Sequence, residues 1–119
     1  MNQDEIVVGN FATATFSGTL NGSWSGTCAS IYPVNGTFSI NIDGNGSVTG
    51  SYSGDDSGSI LGTVDVNGNL IATGTAGGFS WLGQLTRSGD SLSGTGSWSG
   101  TAEGYSCNGV WSGSGTASP

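Results

Sequence analysis

The chain contains no histidine and no lysine, and Arg87 is its single basic side chain. A histidine general base, a Schiff-base lysine and a histidine-ligated metal are therefore excluded. Nucleic acid binding through phosphate neutralisation needs several lysines or arginines, and a net charge of −7 opposes it. The same deficit excludes attraction to an anionic membrane surface. No run approaches the roughly 18 apolar residues of a spanning helix, so membrane insertion is not expected. Met1 is followed by Asn2, Gln3, Asp4 and Glu5, the reverse of a basic signal-peptide start. Met1 reads as a start placed on an exported chain, extracellular or cell-surface, whose signal peptide is not part of this sequence.

Large aliphatic residues are also scarce. Leu, Ile, Val and Phe account for 23 of 119 residues, whereas Gly (24), Ser (20) and Thr (13) make up nearly half. Those values touch the composition of disordered chains. Four Trp, four Phe and three Tyr argue instead for a packed interior, in one small domain with a limited core.

Repetition is the strongest positive signal. Gly22-Ser23-Trp24-Ser25-Gly26-Thr27 recurs as Gly96-Ser97-Trp98-Ser99-Gly100-Thr101, with near-copies around Tyr52 and Trp111. The spacing is irregular, so these are not solenoid repeats but one kind of strand used several times. Period-2 alternation runs through most segments, as in Phe38, Ile40 and Ile42 against Thr37, Ser39 and Asn41. Turn signals separate the runs, among them Asp43-Gly44-Asn45-Gly46 and Asn67-Gly68. No helical stripe is present. The pattern predicts an all-β, antiparallel, up-and-down meander of eight strands, near 20–28, 36–43, 47–54, 59–66, 69–76, 79–87, 91–100 and 105–114. Eight strands close into a small barrel or a barrel-like sandwich. Inward glycines beside rings make room for them in a tight interior.

Cys28 and Cys107 are the only cysteines, leaving a disulfide, a redox pair or two unrelated thiols. Trp24 precedes Cys28 by four residues, and Trp111 follows Cys107 by four. Pairing the first and last strands antiparallel, with residue numbers summing to 135, sets Cys28 opposite Cys107 and Trp24 opposite Trp111. That symmetry favours a disulfide clasp on the barrel, and hence an oxidising compartment.

Residues 1–18 exceed the eight-strand count and form an N-terminal arm, with 19–119 as the barrel domain. Ile6, Val7, Val8, Phe11 and Phe16 give the arm β-forming character, so it could pair on an edge, plug the barrel, add a strand to a neighbouring molecule, or simply fray or pack on its own domain.

The eight carboxylates offer little chemistry, because most stand in turns or tails rather than as a converging catalytic pair. No enzyme activity and no cofactor are expected. Asp43, Asn45, Asp55 and Asp56 present oxygens at calcium-like spacing, as do Asp65, Asn67 and Asn69. None completes the loop with a distal Glu, and turn chemistry accounts for them. Trp24, Tyr52, Trp81, Trp98 and Trp111 could line a ligand pocket or stack on sugars, or could simply fill the core. Outward Ser93, Thr95, Ser97 and Ser99 form a hydroxyl face suited to polysaccharide or to another protein. Asn21, Asn35 and Asn45 each begin an N-x-[ST] triplet.

Leu20-Asn21-Gly22-Ser23-Trp24 resembles the first-strand Thr-Gly-Thr-Trp type motif of the avidin–streptavidin barrels. Phe38 to Tyr52, ending in Thr49-Gly50-Ser51-Tyr52, is similar to that family's second hairpin. Trp81-Leu82-Gly83-Gln84 resembles its Trp-Ser-Gly-Gln strand, and Trp98 stands where a further binding Trp would follow. The resemblance spans residues 20–98. It implies an eight-stranded barrel that binds a small molecule, with Tyr52, Trp81 and Trp98 as binding positions.

Two functions follow as expectations. The first is a non-catalytic extracellular structural or adhesive module that self-associates, as a homo-oligomer or filament, through its arm. The second is a barrel that binds a small molecule or glycan.

Overall fold

The computed structural model describes residues 16–74 and 78–118, and within them every regular element is a β-strand. Eight strands follow in order: β1 Gly18–Cys28, β2 Tyr32–Ile42, β3 Ser47–Gly54, β4 Gly58–Val64, β5 Asn69–Gly74, β6 Phe79–Ser88, β7 Ser91–Ala102 and β8 Tyr105–Ala117. Each pairs antiparallel with its successor, and β8 returns to β1, closing the barrel. The closing ladder runs from Gly18 opposite Ala117 to Cys28 opposite Cys107, with Trp24 opposite Trp111. This is the register expected from the cysteine and tryptophan spacing. Cys28 and Cys107 are joined in a disulfide across that seam.

Alternation decides what is inside. Leu20, Ile40, Ile42, Val48, Ile60, Val64, Leu70, Leu85 and Leu92 are buried with every described aromatic residue except Tyr32 and Tyr105, while the intervening Ser and Thr face outward. A second regularity appears across the ladders. Trp24 faces Gly36, Phe38 faces Gly22, Tyr52 faces Gly58, and Phe79 faces Gly74. Trp98 faces Gly109, and Trp111 faces Gly96. A Cβ on Gly36 would lie 2.5 Å from Trp24 Cζ2, and one on Gly96 would lie 2.6 Å from Trp111 Nε1. At Gly22, Gly36 and Gly96 the missing side chain is thus the space that the ring of the paired residue fills. Trp81 is the exception, since it faces Ala72 and Trp98.

The two barrel ends differ. At one end the turns fold inward: Gly46 C=O accepts the Val64 N–H, Gly68 C=O the Leu85 N–H, and Asp90 C=O the Ala117 N–H, at 2.7–2.8 Å. Phe16 packs into this end, where a Cβ on Gly68 would lie 3.0 Å from its Cζ. Phe16 and Ser17 are both buried. Phe16, read as part of the arm, therefore packs on its own barrel, one of the alternatives open for that segment, because its ring joins the buried core beside Gly68. The barrel domain starts before residue 19 for the same reason. Ile6, Val7, Val8 and Phe11 lie outside the described residues.

At the opposite end, β2 begins four residues earlier than its sequence pattern indicates. Ala29 and Ser30 adopt positive φ (55° and 64°), so the chain reverses within three residues. Neither residue type advertises that conformation. β2 projects there past β3, whose pairing begins at Gly36, so Pro33 has a strand neighbour on one side only. This end is the mouth of the barrel.

Candidate functional site

Just inside the mouth, four rings on four strands meet in a closed cycle. Trp24 and Tyr52 have centroids 6.3 Å apart, Tyr52 and Phe79 6.3 Å, Phe79 and Trp98 5.7 Å, and Trp98 and Trp24 5.5 Å. The planes of successive rings are nearly perpendicular, at 76–85°. Each edge-to-face pair adds about 0.5–1.5 kcal/mol beyond area burial, because the positive edge of one ring meets the negative face of the next. Below this pinwheel, Trp81 packs on Tyr52 and Phe38, and Phe38 on Trp111. Aromatic packing thus extends from the mouth to the barrel's middle.

The indole donors separate Trp81 from the others. Trp24 Nε1 donates to Thr37 O, Trp98 Nε1 to Ser25 O, and Trp111 Nε1 to Leu82 O, at 3.1–3.3 Å. Trp24 and Trp111 lie against Gly36 and Gly96, which lets each indole approach a backbone carbonyl. Trp81, facing Ala72, has no partner for its N–H among the described residues, and neither has the Tyr52 hydroxyl. Both residues are only 4% exposed. Leaving a buried donor unpaired costs about 1–3 kcal/mol, so native structures seldom retain one without a reason. Burial, reinforced by the charge of Asp56, raises the Tyr52 pKa above its ordinary value. Its phenol therefore remains a protonated donor at neutral pH.

Above the pinwheel opens a cavity of about 560 Å³. Its floor and walls include Trp24, Tyr52, Phe79, Trp81 and Trp98, the Cys28–Cys107 disulfide, and Val34. Tyr32 and Tyr105 stand at the rim, with ring centroids 6.1 Å apart and about half of each residue exposed. They keep the inward parity of their strands but lie where the barrel ends. Asp55, Asp56 and Glu103 complete the lining. Asp55 Oδ2 accepts the Asn35 N–H at 2.7 Å, and Asp56 Oδ1 accepts the Ser57 N–H at 2.9 Å. Glu103, at φ 52°, occupies the two-residue β7–β8 turn with Gly104.

Of the residues singled out from sequence, Trp24, Tyr52, Trp81 and Trp98 converge on this cavity, whereas Trp111 lies deeper and does not line it. The acidic candidates for calcium are divided. Asp43 and Asn45 belong to the closed end, where Asp43 Oδ1 accepts the N–H groups of Asn45 and Ser47. Asp55 and Asp56 stand at the mouth. Among the described residues, no three acidic, Cys or His groups come together as a metal site. Asp65 repeats the Asp43 turn, and bonds from Asn69, then Asn67 and Gly68, lower its pKa. Phe79, Tyr32, Tyr105 and Glu103 line the cavity without a site signal of their own in the sequence. Tyr105 stands two residues before Cys107 and Tyr32 pairs with Cys28, so the cysteine register was the signal that could have found them.

No protein-family model, characterised protein or solved structure matches this chain.

Proposed function

We propose that this protein is a non-catalytic binding module that takes a small molecule into the mouth of its barrel. One observation carries the reading. A cavity of about 560 Å³ opens over an aromatic floor that holds two buried donors unpaired among the described residues, the Tyr52 hydroxyl and the Trp81 N–H. Pockets of this size, mainly apolar with a few placed polar groups, are where drug-sized ligands bind. The disulfide at the seam supports an extracellular setting for the module. Tryptophan emission measured against a panel of neutral, cationic and anionic aromatic compounds and short glycans tests this reading. A bound compound changes the emission and raises the unfolding temperature, and Trp98→Ala weakens both responses. Silence across the panel refutes the reading.

A second reading, a structural or adhesive module that associates with itself, is favoured by the outer wall. Leu61, Ile71 and Leu82 are each at least half exposed on adjoining strands, and Ile71 faces Leu82 directly. The closed ladder leaves only short stretches such as residues 32–35 without a strand neighbour on one side, little for strand addition. Association would therefore use this wall or the N-terminal segment. Size-exclusion chromatography of the wild type and of Ile71→Ser/Leu82→Ser decides it, because a monomer in both cases removes this reading.

A further inference from the structure

We propose that the ligand of the mouth is an organic cation, an amine or quaternary ammonium on an apolar body, whose charged head lies among Asp55, Asp56, Glu103 and the rim tyrosines. This inference rests on the mouth being a binding site, and it assigns the chemistry of what binds there.

Charge is the first support. Three carboxylates line one cavity, and no basic side chain accompanies them, since the only one in the sequence is Arg87. Arg87 is engaged at the closed end, donating to Gly89 O at 2.9 Å and Ser118 O at 3.3 Å. Asp56 is half-buried, and its charge reaches the Tyr52 phenol beneath it. Asp56, partly withdrawn from water, and the exposed Asp55 and Glu103 share the cavity with no basic side chain, which favours a ligand that brings a cation.

The rings are the second support, and they select an organic cation over a metal ion. Calcium takes six to eight oxygens, whereas most of this lining is aromatic or aliphatic. A weakly hydrated ammonium is instead attracted to ring faces, most strongly where water is excluded. Tyr32 and Tyr105 offer such surfaces beside Glu103, with Trp24 and Trp98 below.

The third support is independent of charge. Tyr52 is buried, its hydroxyl has no partner among the described residues, and it lines the same cavity. An uncharged acceptor on the ligand body, such as an ester carbonyl, would satisfy it. The ligand then has three parts in order: a cationic head at the rim, an apolar body, and an acceptor toward the floor.

Acetylcholine and its neutral carbon isostere, neohexyl acetate, are suitable probes because they share shape and acceptor and differ in charge. Titration of the folded, disulfide-intact chain, followed by tryptophan emission and calorimetry, is expected to give at least about tenfold tighter binding of acetylcholine. Asp56→Asn and Glu103→Gln, each with an unchanged unfolding midpoint, should reduce that preference severalfold and leave neohexyl acetate unaffected. Asp90→Asn at the closed end should leave the preference intact, which separates a local effect from the overall negative charge. Equal binding of the two probes overturns the cation assignment and leaves the mouth as a neutral binding site. An equal loss of preference from Asp90→Asn overturns it as well. If neither probe binds and the wider panel is also silent, the binding reading falls with it.

Discussion

Gly96→Ala tests whether absent side chains hold the rings in place. A Cβ at Gly96 would lie 2.0 Å from Leu82 O, 2.6 Å from Trp111 Nε1 and 2.7 Å from Gly83 Cα. Two of these contacts are backbone on the neighbouring strand and cannot yield by a rotamer change. The third is the indole nitrogen that donates to Leu82 O at 3.1 Å. The added methyl therefore overpacks the core, at about 1–3 kcal/mol. It also separates a buried donor from its acceptor, at about 1–3 kcal/mol more. A loss near 4 kcal/mol is expected, a large part of the roughly 5–15 kcal/mol that holds a typical domain. Gly89→Ala is the comparison, since nothing lies within 4 Å of a Cβ there and only the positive φ of 61° opposes it. That change should cost about 1 kcal/mol. Both are measured by urea unfolding followed through tryptophan emission. If Gly96→Ala costs no more than Gly89→Ala, the pairing of ring with glycine does not determine the packing, and the reasoning fails.

Three further outcomes are expected. Replacing both cysteines by serine frees a constraint between residues 79 apart and should lower stability by about 4–5 kcal/mol in the chain-entropy model, read as a fall in the urea midpoint. A change below about 1 kcal/mol would place the seam's strength in its ladder instead. Ala29→Asn with Ser30→Gly supplies residues suited to the positive φ already present and should raise stability by about 1 kcal/mol; a decrease would contradict the turn geometry. Asp65 has a lowered pKa in the fold, so its contribution is present above the ordinary carboxylate value near about 4 and is lost as pH falls through the lower folded value. Asp65→Asn should flatten the acid side of the stability profile, and an unchanged acid limb would refute that assignment.

The ladder was legible because two simple rules survive in the sequence. Alternation placed Trp24, Phe38, Tyr52 and Trp111 inside, and the spacing of Trp24 and Trp111 from the cysteines gave the register of the closing strands. The turn at Ala29 and Ser30 was not legible, because its positive φ is imposed by the hairpin on residues that do not prefer it. Phe16 reads as part of an arm because residues 1–18 exceed the eight-strand count, and only the folded end reveals the space it fills. The site was half visible. Four of its rings carried a signal, but which rings share a level depends on eight registers at once. The rim residues Tyr32, Tyr105 and Glu103 acquire meaning only once the disulfide marks the mouth.

The closing seam also has a mechanical meaning. Gly18 and Ala117 are opposite one another, so both ends of the barrel's chain leave side by side at the closed end, and Cys28–Cys107 lies at the far end of the same ladder. Tension applied through the two ends would open β1 from β8 like a zipper, one pair at a time, and stop at the sulfur bridge. The six remaining strands lie between the cysteines, and of these only β2 and β7 would resist, through their ladders with β1 and β8. Under oxidising conditions the extensible length is the two peeled strands alone, whereas reduction would add the whole span between the cysteines to it.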